Sequence, residues 1–438
     1  MNPRRTAAAL AATLVIAPAL TACGPDEVVP EQSDDIVLWL VGTDTGDDLR
    51  EYLLQTFSER NPGATLTIEQ KEWGTLVDDL DEALVDPALT PDVVEIGNTQ
   101  APTFTNAGDF RAISPELYAE LGGEDLLQSF VEAGSVDDTV YALPYYFGSR
   151  YVFYRKDVWD EAGVEVPRTL DEFGEAVKTL HSERMAGIAM GGQDWRNGIS
   201  WVFAHGGELA VKEDGTWVST LSDPRTIEGL EAWQDVFVNA TYLPVTEADV
   251  AYWDFINDGV ESDRPAAATM MAPSWARWSI GDMTENDEGV EVRDGMADSS
   301  RFDIFALPGV DGGVAPVFAG GSNMAVSALT RNVGLSEDLL RIVYSDEYQT
   351  MLAESGLGPA NTTFTDLMTG DKFGRTLVAT AEASQLTPAA PGWAEIESRK
   401  IYEDLFKEIA RGGSVPAVAQ KYDAIITPLL DGDVDTED

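Results

Sequence analysis

The sequence predicts an α/β protein built as two lobes, on three observations. From residue 36 onward, short apolar runs alternate with amphipathic stretches in the order strand, helix, strand, helix, strand. That order implies a parallel sheet flanked by helices. At 438 residues the chain exceeds what one hydrophobic core usually serves. A polar and aromatic segment, residues 145–150, then joins one extended run to the next, as a crossing between lobes does.

Taken in order, residues 36–41 are apolar almost throughout and predict a buried parallel strand. Residues 47–60 predict an amphipathic helix, with Leu49, Leu53 and Phe57 at helical spacing, stopped by Asn61, Pro62 and Gly63. A second strand is expected over 64–68 and a second helix over 74–85, with Leu76, Leu80 and Leu84 on one face. Residues 92–96 form the third strand. In such sheets ligands lie beyond the carboxyl ends of the strands. Residues 140–143 are extended up to Pro144, and 151–154 form the next strand. A largely helical stretch reaches to about residue 280. Strands return over 301–308 and 324–327, and helices over 336–344, 347–354 and 396–409. These patterns assign 36–146 with 301–330 to the first lobe, and 147–300 with 331–430 to the second. Residues 431–438 are an acidic tail.

The N-terminus reads as a bacterial signal peptide over residues 1–22. Arg4 and Arg5 form its basic region, residues 7–19 its apolar stretch, and Leu20, Thr21, Ala22 and Cys23 a lipobox. The thiol of Cys23 then carries a lipid that tethers the protein to the outer face of the cytoplasmic membrane, against the alternative of a plain secretory leader. Residues 23–35, rich in Pro, Asp and Glu, are a flexible tether. With one cysteine, no intrachain disulfide is available. A formal net charge of −49 makes nucleic acid and anionic lipid headgroups poor partners. It favours a neutral or cationic ligand over a polyanion.

Catalysis finds no carrier in the sequence. His181 and His205 are the only histidines and sit in helical contexts. No nucleophile elbow, phosphate loop or metal-ligand cluster appears, so no cofactor and no metal are expected. Asp44, Asp47 and Asp48 read as helix capping rather than a calcium loop, which would need a glycine and a terminal glutamate. Aromatic residues beside polar or Gly/Pro breaks are what stand out among the 11 tryptophans: Trp73, Trp195, Trp253, Trp275 and Trp393. An indole can cover the C–H face of a sugar ring while Asn, Gln, Asp, Arg and Ser meet its hydroxyl rim. Segments with that mixture are Gly97 with Asn98, Thr99 and Gln100; Tyr145 and Tyr146 through Arg150; Gly192 to Asn197 around Trp195; Pro273, Ser274 and Trp275; and Gly320, Gly321, Ser322 and Asn323. Trp73 and Trp253 are equally compatible with core. Trp201 and Trp233 belong to amphipathic helices and read as core. Of Trp275 and Trp278, one helical turn apart, Trp275 is expected to face the ligand and Trp278 the interior.

These segments, in order along essentially the whole chain, resemble the family 1 extracellular solute-binding proteins, the sugar receptors of ABC importers related to maltose-binding protein. The resemblance rests on the lipobox, on PDVVEIGNTQ at residues 91–100, on YALPYY at 141–146 and on MMAPSW at 270–275. GGSNMAV at 320–326 and PGW at 391–393 complete it. Within the family the sequence is similar to actinobacterial lipoproteins that take up chitobiose and related disaccharides. The resemblance implies two α/β lobes that close on a neutral di- or oligosaccharide, a monomer that docks on a permease, and no chemistry on the ligand. It carries over Asp44, Asn98, Thr99, Gln100, Trp275, Asn323 and Trp393 as cleft residues, with Trp195 and Arg150 beside them. Tyr145 and Ser322 join them from the segments above. Two competing readings are a secreted glycosidase, which needs a flanking carboxylate pair, and a receptor for a non-sugar solute such as a polyamine.

Overall fold

The computed structural model describes residues 34–248, 251–257, 265–285, 289–296 and 300–432. The leader, Cys23, most of the tether and residues 433–438 of the acidic tail lie outside the described residues. The first three strands are β1 (Asp35–Val41), β2 (Thr65–Lys71) and β3 (Val93–Gly97), with β1 parallel to both others. Three antiparallel strands extend this sheet beyond β3: β4 (Ala142–Gly148), β8 (Gly320–Val326) and β9 (Gly358–Pro359). The order is β9-β4-β8-β3-β1-β2, so β8 lies between β3 and β4. A second sheet is antiparallel, with β5 (Arg150–Arg155) between β6 (Thr269–Pro273) and β7 (Phe302–Phe305).

Strand periodicity sorts the side chains. On β1, Ile36, Leu38 and Leu40 pack against Leu49, Leu53 and Phe57 of the helix Asp47–Arg60. Trp39 and Val41 point the other way, onto Leu76 and Leu80 of the helix Leu76–Ala83. In the second sheet Val152 joins a core with Trp195, Trp201, Trp233 and Trp393, while Tyr151 and Phe153 face Met270 and Ile304. Asp47 and Asp48 occupy the first turn of their helix, where they complement its dipole. The N-cap itself is Gly46, with no side-chain cap.

The lobe boundaries depart from the sequence reading in three places. Phe302–Phe305 pairs with β5 in the second sheet, not with the first. The helices Val333–Val343 and Asp346–Ser355 lay Leu339, Leu340, Tyr348 and Leu352 into the core of the first sheet, not the second. Phe147 and Gly148 end β4, so Ser149 alone separates the strands of the two sheets. An amphipathic stripe says that a helix covers a sheet; it does not say which one. The helix expected over 396–409 is two, Trp393–Ser398 and Ile401–Ala410, broken at Lys400 with φ 55°.

Candidate functional site

The loops that follow the three parallel strands open on one side of the first sheet. After β1, Gly42 takes φ +62°, a conformation glycine adopts without steric cost. Arg50 of the following helix then braces the loop, its Nε donating to the Thr45 carbonyl at 2.7 Å and its Nη2 to the Gly42 carbonyl at 3.1 Å. The loop presents Asp44. Its Oδ2 accepts from the Tyr146 hydroxyl at 3.0 Å and from Trp73 Nε1 at 3.4 Å. Trp73 follows β2 and is 38% exposed. Asn98, Thr99 and Gln100 follow β3. Asn98 Nδ2 donates to the Ala319 carbonyl at 3.0 Å, tying this loop to the chain as it re-enters the first lobe. Gln100 Oε1 is buried with no protein partner, and the residue lines a cavity.

That cavity, about 450 Å³, lies between these loops and the second lobe. The second lobe contributes Arg150, Arg196, Trp275, Phe318 and Glu397. Arg150 starts β5 and is buried, with Nη1 3.0 Å from Asn197 Oδ1 and its guanidinium 5.6 Å from the Phe318 ring centre. The Asn197 amide is oriented in turn by Asp194 Oδ2 at 2.6 Å and the Met271 carbonyl at 2.9 Å. Arg196 stacks on Trp195 at 4.6 Å and approaches Glu397 at 3.6 Å. Trp275 is 43% exposed and packs edge to face on Trp253 at 5.4 Å.

Of the residues expected at the site, Asp44, Asn98, Thr99, Gln100, Arg150 and Trp275 line this cavity together. Five others do not. Tyr145 is fully buried, its hydroxyl 2.9 Å from Thr45 Oγ1 and 2.6 Å from the Tyr348 hydroxyl. The register explains it: Ser322 pairs with Tyr146 and Asn323 with Pro144, so Tyr145 is the extra residue of a bulge. Tyr146 is the tyrosine that reaches the cleft. Ser322 and Asn323 sit inside β8 rather than in a loop, both fully buried. Ser322 Oγ donates to Glu95 Oε1 at 2.7 Å and Asn323 Nδ2 to the Phe130 carbonyl at 2.9 Å. Gly320 and Gly321 are the residues of that segment at the cavity.

Trp195 and Trp393 are buried too, in one aromatic cluster with Tyr402 at ring separations of 5.2–6.3 Å. They act from beneath. Trp195 carries Arg196, and Trp393 Nε1 donates to Glu397 Oε1 at 2.9 Å. Trp278, expected in the interior, is 56% exposed. The segment Ser274–Ser279 is a 3₁₀ turn, in which residues three apart eclipse, so Trp275 and Trp278 share an edge.

Sequence reasoning missed Glu95, Trp73 as a definite wall residue, and Glu397, and it named Arg196 only as part of the segment around Trp195. Glu95 left a signal: a lone carboxylate in an otherwise apolar strand needs a buried partner. It is fully buried, with Oε2 accepting from the Val41 N–H at 2.8 Å and Oε1 from Ser322. Burial pushes its pKa up to about 7 against the pull of those hydrogen bonds, and the Asp44 charge adds to the rise.

The cleft carries carboxylates from Asp44 and Glu397 and guanidinium groups from Arg150 and Arg196, so its charge is balanced in a strongly acidic protein. Rings on both lobes with polar atoms between them suit a ligand with an apolar face and a hydroxylated edge. The chain matches the bacterial extracellular solute-binding protein family over residues 42–350. It is 27% identical over 394 residues to the diacetylchitobiose binding protein DasA of Streptomyces coelicolor, covering 89% of this chain and 88% of that protein. In fold it is similar to the GacH receptor of Streptomyces glaucescens, with a TM-score of 0.74 at 17% identity over 92% of this chain and all of that one. It is equally similar to the sugar-binding protein MalE of Xanthomonas citri, with a TM-score of 0.74 at 19% identity over 91% of this chain and 98% of that one. Two α/β lobes around a charge-balanced cleft, matched over these lengths, make this chain a member of the bacterial extracellular solute-binding protein family.

Proposed function

We propose that the protein is the carbohydrate receptor of an ABC importer, which captures a neutral di- or oligosaccharide between its lobes and delivers it to a membrane permease. The observation that carries this reading is the pairing of open indoles, Trp73 on the first lobe and Trp275 on the second, across a cavity also lined by Asn98, Thr99, Gln100 and Arg150. Sugar C–H faces stack on such rings, and polar side chains between them meet the hydroxyls. The matched charges of the cavity speak against a polyamine, which would call for carboxylates in excess. DasA is named for diacetylchitobiose, and GacH was solved with acarbose, both carbohydrates or close mimics. A ligand that touches both lobes at once favours the closed form by its differential affinity for it, and the permease reads that form. In the same reading Cys23 bears the lipid that keeps the receptor at the membrane. A Cys23→Ser variant then leaves the membrane fraction or accumulates as precursor.

Titration of the purified protein with chitobiose, maltose and spermidine, followed by tryptophan fluorescence and calorimetry, tests the reading. Saturable binding of a neutral sugar with the sugar recovered intact is expected. Binding of spermidine alone, or release of monosaccharide, overturns it.

A further inference from the structure

The cleft continues past Trp275. On the side away from Gln100 it opens into a second chamber of about 820 Å³, larger than the first, and Asp44, Ser274, Trp275 and Leu357 form the wall the two share. The second chamber repeats the physical elements of the first. Its platform is Trp278, which the 3₁₀ turn sets on the same edge as Trp275 and which is more than half exposed. With Trp275 and Leu367 it forms a group of exposed apolar side chains in one chamber, the kind of patch that marks a ligand groove.

Trp278 is also held in place. The Arg277 guanidinium lies 4.4 Å from its ring centre and 4.1 Å from that of Phe373, and Arg277 Nη1 is 3.7 Å from Asp371 Oδ2. A second constraint comes from Gly295, where a Cβ would stand 2.7 Å from Cε3 of the indole. A ring clamped this way keeps its remaining surface available at little entropic cost on binding. The chamber's polar rim is Asp44, Glu354 and Asp371 with Arg277, carboxylates that accept from sugar hydroxyls and a guanidinium that donates to them. The first chamber lies in the lower part of the range that encloses a drug-sized ligand, roughly 300–1,000 Å³, and the second is of the same order by itself.

We propose that the second chamber is a further carbohydrate subsite in line with the first, so that the preferred ligand is a trisaccharide or longer chain straddling Trp275 rather than a disaccharide. This inference rests on the carbohydrate-receptor reading and gives it a length. Trp275 then contacts units on both sides, and Trp278 stacks on the unit beyond.

Calorimetric titration of the purified protein with the di-, tri- and tetrasaccharides of β-1,4-linked N-acetylglucosamine and of α-1,4-linked glucose tests it. In the series that binds, affinity should rise about tenfold from disaccharide to tetrasaccharide, the size of one added ring stack. Trp278→Ala should cancel that gain for the tetrasaccharide, with the loss confined to ligands long enough to reach it, and Trp278→Phe should restore part of the gain. Equal affinity for all lengths in the wild-type protein overturns the second subsite while leaving the receptor reading intact. So does an equal loss for short and long ligands in Trp278→Ala. Failure of every sugar to bind overturns the receptor reading itself.

Discussion

Replacing Glu95 by glutamine probes the carboxyl that lies under the floor of the cleft. In the folded protein its pKa is about 7, against 4.5 for the free group, and burial is the main cause. A folded-state pKa above the unfolded value means that the native protein holds a proton the unfolded chain has released. The contribution is therefore full below pH 4.5 and is lost as pH rises through about 7. At about 1.36 kcal/mol per pKa unit, the native state forgoes about 3 kcal/mol at pH 8 relative to a neutral group in the same place. Glutamine is that neutral group. Its carbonyl can keep the Val41 N–H, and its amide can donate to Ser322 Oγ once that hydroxyl rotates, so neither partner is stranded. Scanning calorimetry of wild-type and Glu95→Gln protein should show a melting difference near zero at pH 5 that grows in favour of the variant toward pH 8. The many other carboxylates act on both proteins alike and cancel in the difference. A difference that is flat with pH, or that favours the wild type at pH 8, would refute the reasoning. It would mean that the hydrogen bonds from Val41 and Ser322 outweigh desolvation and that Glu95 is an ordinary ionised carboxylate.

Three further substitutions separate support from contact. Trp393→Ala should cost about 3–5 kcal/mol of stability, since it empties a fully buried aromatic site and removes the donor to Glu397; a melting temperature within a degree of wild type would contradict the buried placement. Tyr145→Phe should cost about 1–2 kcal/mol of stability with sugar affinity unchanged, because its hydroxyl is spent on Thr45 and Tyr348. Tyr146→Phe should instead weaken binding several-fold by freeing Asp44, and equal effects of the two on affinity would mean that the bulge is misread.

How far the sequence carried depends on what kind of information each feature needs. The parallel strands were legible because each is an apolar run closed by turn residues, and with them the loops at their carboxyl ends that hold Asp44 and Asn98 to Gln100. Neighbourhood in sequence was enough there. It was not enough for the helices over 333–355, whose stripe fits either sheet and whose choice is made by packing on Leu53 and Phe57. Tryptophan beside a break was an ambiguous sign. Trp73 and Trp275 do face the cavity, but Trp195 and Trp393 begin helices and turn inward from the first turn. Tyr145 and Tyr146 exchanged roles because a bulge shifts the two-residue period by one, which no alternation pattern reveals. Trp278 was misplaced because one of two tryptophans a turn apart was expected in the interior, whereas residues three apart share a face, in a 3₁₀ turn most closely. Arg196 and Glu397 meet from segments far apart in the chain, so their pairing had no local trace.

The position of β8 bears on how the protein is made. This strand completes the interior of the first sheet, yet it is synthesised after the strands of the second sheet, and its Ser322 reaches back 227 residues to Glu95. Until it arrives, β3 and β4 have no neighbour between them, and the Glu95 carboxyl lacks its Ser322 partner. Closing such a long loop before any contact rewards it makes folding slow. Under the expectation that residues 1–22 are an export leader, slowness is useful. The first lobe cannot lock while the second is still emerging, so the polypeptide stays in the extended state that a translocation channel can thread. A circular permutant that placed β8 directly after β3 would fold sooner and be exported less well.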